Sequence, residues 1–133
     1  MGYTNAGTDV PAHRRETRGG FRGFKVLLLT TIGRKSGKSF TTPLGWFEHA
    51  EGYIIVASNA GKPSNPNWFY NLQQNPHVTI QVMDKIYHVT AEILKGEERT
   101  QVWQKVIADA PQYANYQPRT TREIPLILLR PNK

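Results

Sequence analysis

Six short segments rich in apolar and β-branched residues constrain this chain more than any other feature. They are residues 25–32, 40–47, 53–57, 77–83, 87–93 and 124–129. Each has the length of a strand, and 77–83 and 87–93 alternate between apolar and polar positions at period two. Turn-forming residues separate them, with two glycines in 33–38, Glu51-Gly52 and Asp84-Lys85. Consecutive antiparallel strands of this length leave unpaired edges unless the sheet closes. The pattern therefore favours a small barrel.

Two helices fit between the strands. Residues 96–110 place Val102, Trp103, Val106, Ile107 and Ala110 on one stripe. Glu97 and Glu98 sit in the first turn, where the helix dipole favours them, and Pro111 ends it. A shorter helix begins near Pro66, with Ser64 or Asn65 as its expected cap, and stops at Asn75-Pro76. The fold class is α+β, with about six mainly antiparallel strands and one or two short helices. The chain has 133 residues, enough for one domain with its own core. That domain is read as 21–133. Residues 1–20, poor in apolar side chains and rich in Gly, Thr and Arg, are expected to form a mobile basic arm.

The absence of cysteine excludes disulfides, thiolate metal sites and cysteine nucleophiles. The four histidines are scattered and form no ligand pair. No apolar run approaches the ~20 residues of a membrane span, and no secretory signal is evident. A cytoplasmic location is the expectation. The net charge is +7, and eight of the 17 Lys and Arg fall between Arg14 and Lys38. Such a block attracts anions, which charge alone does not identify as nucleic acid, membrane headgroup or phosphorylated cofactor.

Three clusters carry chemistry. Gly33-Arg34-Lys35-Ser36-Gly37-Lys38 superficially resembles a P-loop. It has three residues instead of four between the glycines, and it leads into a strand. Glycine amides, the Ser36 hydroxyl and the flanking cations still suit an oxyanion. A solvated hairpin turn with surface cations is the competing reading. The second cluster, residues 63–71, combines Trp68, Phe69 and Tyr70 with Asn65, Asn67 and Asn71, as a ligand wall or as core. The third places Tyr113 and Tyr116 one helical turn apart, as phenolic donors or as loop anchors.

Taken in order, these clusters resemble one family. Leu28-Leu29-Thr30-Thr31-Ile32-Gly33-Arg34-Lys35-Ser36-Gly37 is similar to the opening motif of the deazaflavin-dependent nitroreductases. Val56-Ala57-Ser58, Gly61, Asn65-Pro66-Asn67-Trp68-Phe69-Tyr70-Asn71-Leu72 and Asn75-Pro76 resemble its central motif. Tyr113-Ala114-Asn115-Tyr116-Gln117 and Thr121-Arg122-Glu123-Ile124-Pro125 resemble its C-terminal motif. The resemblance implies a split β-barrel of the flavin-reductase and FMN-binding type. It also implies coenzyme F420, an 8-hydroxy-5-deazaflavin with an anionic tail, with FMN as the less favoured cofactor.

Residue by residue, the resemblance places the phosphate on Arg34, Lys35 and Ser36, and the next binding stretch on Thr41, Thr42, Pro43 and Leu44. The ring falls against Val56, Ala57, Ser58, Asn59, Asn67, Trp68 and Asn71. Phe40 stands where many members carry Arg, and Asn59 where some carry Lys. Gly45 and Ala110 replace tyrosines of one well-known member, which opens the substrate side.

The implied reaction is hydride transfer from the reduced deazaflavin to an electron-poor quinone, enone or nitro compound. Ser58, Tyr113 or Tyr116 would stabilise or protonate the product oxygen, with Trp46, Trp68 and Tyr116 as aromatic walls. A deazaflavin- or FMN-binding protein without turnover is the alternative. Nucleic acid is not an expected partner. A homodimer and contact with a membrane surface remain open.

Overall fold

The computed structural model describes residues 25–132. The expected arm over 1–20 lies outside the described residues. Six strands form one closed sheet: β1 (Lys25–Ile32), β2 (Ser39–His49), β3 (Gly52–Val56), β4 (His77–Val82), β5 (Lys85–Ile93) and β6 (Leu126–Pro131). Their order around the barrel is β1-β2-β3-β6-β5-β4, closing back on β1, and every pair is antiparallel. Two α-helices, α1 (Asn67–Gln74) and α2 (Gly96–Asp109), complete the regular structure together with 3₁₀ turns at Asn59–Gly61, Pro111–Asn115 and Gln117–Arg119. The α+β barrel expected from the period-two segments is the fold observed.

Strand alternation divides the core in two. Leu27, Leu29, Ile55, Val78, Ile80, Val89, Ile127 and Leu129 fill the barrel interior, joined by Trp68, Phe69 and Leu72 of α1. The opposite faces of β3 and β6 supply Ile54, Val56, Leu126 and Leu128. These pack against Val102 and Val106 of α2. Since β3 and β6 are buried on both faces, they read as continuous apolar runs instead of alternating ones. Each such aliphatic side chain contributes about 1.5–3 kcal/mol by leaving water. The helical stripe of α2 thus has a sheet face to bury against. No described helix is long and apolar enough to cross a membrane, and the described residues contain no cluster of potential metal ligands.

Three local expectations are corrected. Neither Ser64 nor Asn65 caps α1; Pro66 occupies the N-cap position with extended backbone. The β4–β5 turn is Met83-Asp84, because Val82 pairs with Lys85, and Met83 takes φ 59°. The β2–β3 turn is Ala50-Glu51, with φ 51° and 63°, while Gly52 already pairs with His49 as a strand residue. Two left-handed central residues at Ala50-Glu51 suit one of the two favoured tight hairpin turns, and one at Met83 suits the other, although residues with a Cβ pay about 1–2 kcal/mol each for it.

Gly52 serves close packing instead of turning. A Cβ there would lie 2.6 Å from the Leu129 carbonyl oxygen and 2.9 Å from Leu128 Cδ1. In urea unfolding, Gly52→Ala should lower stability by about 1–3 kcal/mol through overpacking. Glu51→Gly, which relieves a left-handed residue, should leave stability unchanged or raise it. Equal losses at both positions would contradict this division of labour.

Candidate functional site

The site begins with a strand that runs out of partners. β2 pairs with β1 over eight positions, from Ile32↔Ser39 to Lys25↔Trp46. On its other edge it pairs with β3 only through Phe47, Glu48 and His49. Among the described residues, no strand pairs the second edge of β2 between Ser39 and Trp46. The barrel is split there. Pro43, which lacks an N–H, is tolerated because such a strand is an edge. Thr41 and Pro43 are exposed on this stretch, while Thr42 and Leu44 are half-buried. The Thr41 hydroxyl is fixed by a 2.8 Å bond to the Thr30 hydroxyl.

At one end of the split lies the turn of residues 33–38. The Gly33 amide donates to the Lys38 carbonyl at 2.7 Å, and the Gly37 amide donates to the Gly33 carbonyl at 2.9 Å. Gly37 is left-handed at φ 73°. The Ser36 hydroxyl accepts from the Lys38 amide at 3.2 Å. Arg34 does not project freely. Its amide and its Nη1 both donate to Asn71 Oδ1, at 3.1 and 2.9 Å. Its guanidinium also faces Asn67 and stacks 5.2 Å from the Tyr70 ring centre. Asn71 is 4 % exposed, and its Nδ2 donates to the Thr31 hydroxyl. One buried amide therefore fastens α1 to the end of β1 and to the turn. Lys35, Ser36 and Lys38 are exposed.

Beyond the split, β3 leads into a strained loop. Asn59, Ala60 and Gly61 have φ of 48°, 55° and 78°, a run that costs about 1–2 kcal/mol for a residue such as Ala60. Ser58 is right-handed. A right-handed residue followed by a left-handed one turns successive amides toward a common point, an arrangement suited to an anionic oxygen. The Asn59 side chain donates to the Ser64 carbonyl across the loop, and Asn is among the residues that tolerate this conformation best.

What holds the loop is Arg122. Its Nε donates to the Lys62 carbonyl (3.0 Å), its Nη1 to the Ala57 carbonyl (3.2 Å) and to Asn65 Oδ1 (2.6 Å), and its Nη2 to the Ser58 carbonyl (2.8 Å). Hydrogen bonds from a charged donor contribute about 1.5–3 kcal/mol each, which exceeds the strain of the loop. Burial lowers the Arg122 pKa, but a guanidinium stays protonated. Gln117 in turn holds Arg122, donating to its carbonyl and accepting from the Ile124 amide. Gly61 lets the C-terminal segment close in, since a Cβ there would lie 2.9 Å from Arg119 Cβ.

Tyr113 and Tyr116 do meet, edge to face, with ring centres 5.7 Å apart. Tyr113 also contacts Phe47 at 5.9 Å, and its hydroxyl would lie 3.7 Å from a Cβ on Gly45. The phenol thus stands beside the edge of β2 where the split opens. Burial, and then the neighbouring Tyr116, push the Tyr113 pKa up. It is a proton-bearing donor at neutral pH.

Some expected contacts take another form. The side chains of Val56, Ala57, Trp68 and Asn71 are buried, so Trp68 is core and Asn71 is a brace. Trp46, Trp68 and Tyr116 do not form one wall. Trp46 and Trp68 pack with the barrel interior, whereas Tyr116, like Phe47, packs against the α2-side cluster; Trp46 and Phe47 part because adjacent residues of β2 point to opposite faces. Sequence reasoning missed Arg122 and Gln117 as organisers. The available signal was a lone arginine between two Thr and an apolar strand, with Asn-rich loops elsewhere to receive it.

Comparison with known proteins gives a consistent result. The profile of the F420H(2)-dependent quinone reductase family matches residues 9–131. An F420H(2)-dependent quinone reductase of Mycobacterium tuberculosis is 41% identical over 106 residues, covering 77% of this chain and 71% of that protein. A solved F420-H2 dependent reductase is 40% identical, with a TM-score of 0.72, covering 82% of this chain and 95% of the other. A second solved structure, described as a domain-swapped dimer, is 36% identical, with a TM-score of 0.73 and coverage of 89% and 93%.

Two measurements test the site. Asn71→Ala should cost about 1–3 kcal/mol in urea unfolding, because it strands the Thr31 hydroxyl and the Arg34 amide. A loss below a few tenths would show that the brace is not needed. The raised Tyr113 pKa means that, above the free-tyrosine value of 10.0, the unfolded state loses a proton that the native state keeps. Stability should therefore be insensitive to this group below that pH and fall above it. Tyr113→Phe should flatten the fall in the melting temperature.

Proposed function

This chain belongs to the F420H(2)-dependent quinone reductase family, and from that premise we propose that the split beside β2 is where the cofactor and a quinone meet. The protein is an oxidoreductase using coenzyme F420. The observation that carries the residue assignment is the unpaired β2 edge, with cations in the turn at one end and the loop after Val56 beginning where β3 has left β2.

The residues present fit an F420-like molecule. Its anionic end suits the turn of residues 33–38. There the exposed Lys35 and Lys38 supply charge and Ser36 a hydroxyl, while Arg34, drawn onto Asn71 and Asn67, supports them with its field. The β2 edge at Thr41, Thr42, Pro43 and Leu44 offers main-chain groups to a planar molecule. Val56 contributes through backbone, Ala57 braces it with its amide and carbonyl held by Pro125 and Arg122, and Ser58 and Asn59 contribute through the amides of the left-handed loop. FMN would satisfy the same phosphate end, but the family's cofactor is the deazaflavin.

When bound, reduced F420 supplies a hydride equivalent to the quinone. The protein's share is to align the two rings, exclude water between them and stabilise the oxygen that becomes negative. Tyr113, a phenol that carries its proton at neutral pH, is placed beside the β2 edge to deliver a proton to that oxygen, with the adjacent Tyr116 and Ser58 of the loop as further donors. Gly45, facing the Tyr113 hydroxyl, leaves room for the substrate. The same cations favour a cytoplasmic protein that meets anionic membrane surfaces, where apolar quinones reside. The dimeric relative supports a homodimer.

Fluorescence titration with F420 checks the assignment. Binding should weaken with rising salt, and Lys35→Ala should weaken it by about three- to tenfold, the share of one exposed cation. Mixing the protein with reduced F420 and a panel of quinones should oxidise the cofactor. No binding and no oxidation above background would sink the proposal.

A further inference from the structure

Arg122 spans four acceptors in three places, two carbonyls at the end of β3, the Lys62 carbonyl and the Asn65 side chain. Those acceptors bracket the left-handed run Asn59–Gly61. No other described side chain joins both ends of this run. Asn59 closes it internally, onto Ser64, but only Arg122 ties it to the C-terminal segment by hydrogen bonds. A planar guanidinium can aim several N–H groups along fixed directions, which an ammonium cannot do. Gln117 bonds on both sides of Arg122, at its carbonyl and at the Ile124 amide, so the arginine is itself held.

From this arrangement we infer that Arg122 is the positioning residue for the cofactor-facing loop, fixing residues 58–60 in the conformation that presents their amides to the split. The inference rests on the assignment of Ser58 and Asn59 to the cofactor side. Arg122 acts through the loop's main chain, because four of its five N–H groups are spent on protein acceptors. Its loss should therefore loosen the loop without opening the barrel. It should also weaken the cofactor while leaving Tyr113 in place beside Gly45.

The test compares wild type, Arg122→Ala, Arg122→Lys and, as a surface control, Arg130→Gln, whose residue pairs with Glu92 on the exposed side of β6. Hydrogen exchange on the protein alone should show the Gly61 and Lys62 amides, which bond to the Ser58 and Asn59 carbonyls, losing protection in both Arg122 variants. The amides of β3 and β6 should stay protected. F420 affinity should fall by about tenfold or more, the scale of one or two lost charge-assisted bonds. Millimolar guanidinium should restore part of it in Arg122→Ala but not in Arg122→Lys, where the lysine occupies the space. Arg130→Gln should match wild type throughout.

Unchanged loop exchange in both variants would overturn the inference, as would loss of protection throughout β3 and β6, or full affinity in Arg122→Lys. A wild-type protein that binds no F420 would instead overturn the functional reading. The exchange result, obtained without cofactor, separates the two failures.

Discussion

The early end of the β2–β3 ladder is the constraint on which the site depends. A closed antiparallel barrel pairs every main-chain group, and one that did so here would bury both edges of β2. Instead β3 leaves β2 after three pairs. The cause lies on the far side of β3. Ile55 and Val56 stay registered with Ile127 and Leu126, and the Ala57 amide donates to the Pro125 carbonyl. Ile54 and Val56 are also committed to the α2 side of the core. The strand follows its buried partner, β6, and abandons the more exposed one. Hydrophobic burial on two faces outweighs a few ladder bonds whose groups can be satisfied by water or ligand.

Once the ladder is broken, the flanking segments need other ties. Asn71 and Arg122 supply them in parallel ways. Each sets one side chain against groups 37 to 65 residues away in sequence, for Asn71 the Arg34 amide and guanidinium and the Thr31 hydroxyl, for Arg122 three carbonyls and an Asn side chain. Tyr70 stands between them, its ring under Arg34 and its hydroxyl accepting from the Asn65 amide. Satisfied buried polar networks of this sort fix one geometry and penalise its alternatives. Here they fix the two ends of the split, so the edge of β2 lies between braced walls.

The strands were legible because burial on a sheet leaves a period of two, and α2 because its stripe has a period of 3.6. The turns were misplaced by a residue where glycine misled. Gly52 looked like a turn residue, but the Leu129 carbonyl is what excludes a side chain there. The three family motifs fall on the turn of residues 33–38, the loop after β3 and the C-terminal segment, the segments on which the proposed site is built. Grouping Trp46 with Tyr116 failed because face assignment depends on register, which sequence alone does not set when a strand is half paired. Arg122 was opaque for a different reason. Three of its four acceptors are main-chain carbonyls and the fourth is an Asn of another segment, and carbonyls are identical at every residue.

The segment 33–38 shows how part of the basic block is held. It is a hairpin turn, as its place between β1 and β2 requires, and its hydrogen bonds close on themselves. A hairpin turn need not be braced by a buried asparagine, however, and this one is. Among the described residues, Arg34 is held by neutral acceptors only, and no carboxylate lies within ion-pair distance of Arg34, Lys35 or Lys38. Its charge is thus directed but not cancelled. A guanidinium fixed beside a flexible pair of lysines keeps a positive potential at one end of the split. The lysines, with long exposed chains, can then adapt to the anion that arrives. The turn is an ordinary hairpin in its backbone, and the proposed anion site would draw on one held cation and two adaptable ones.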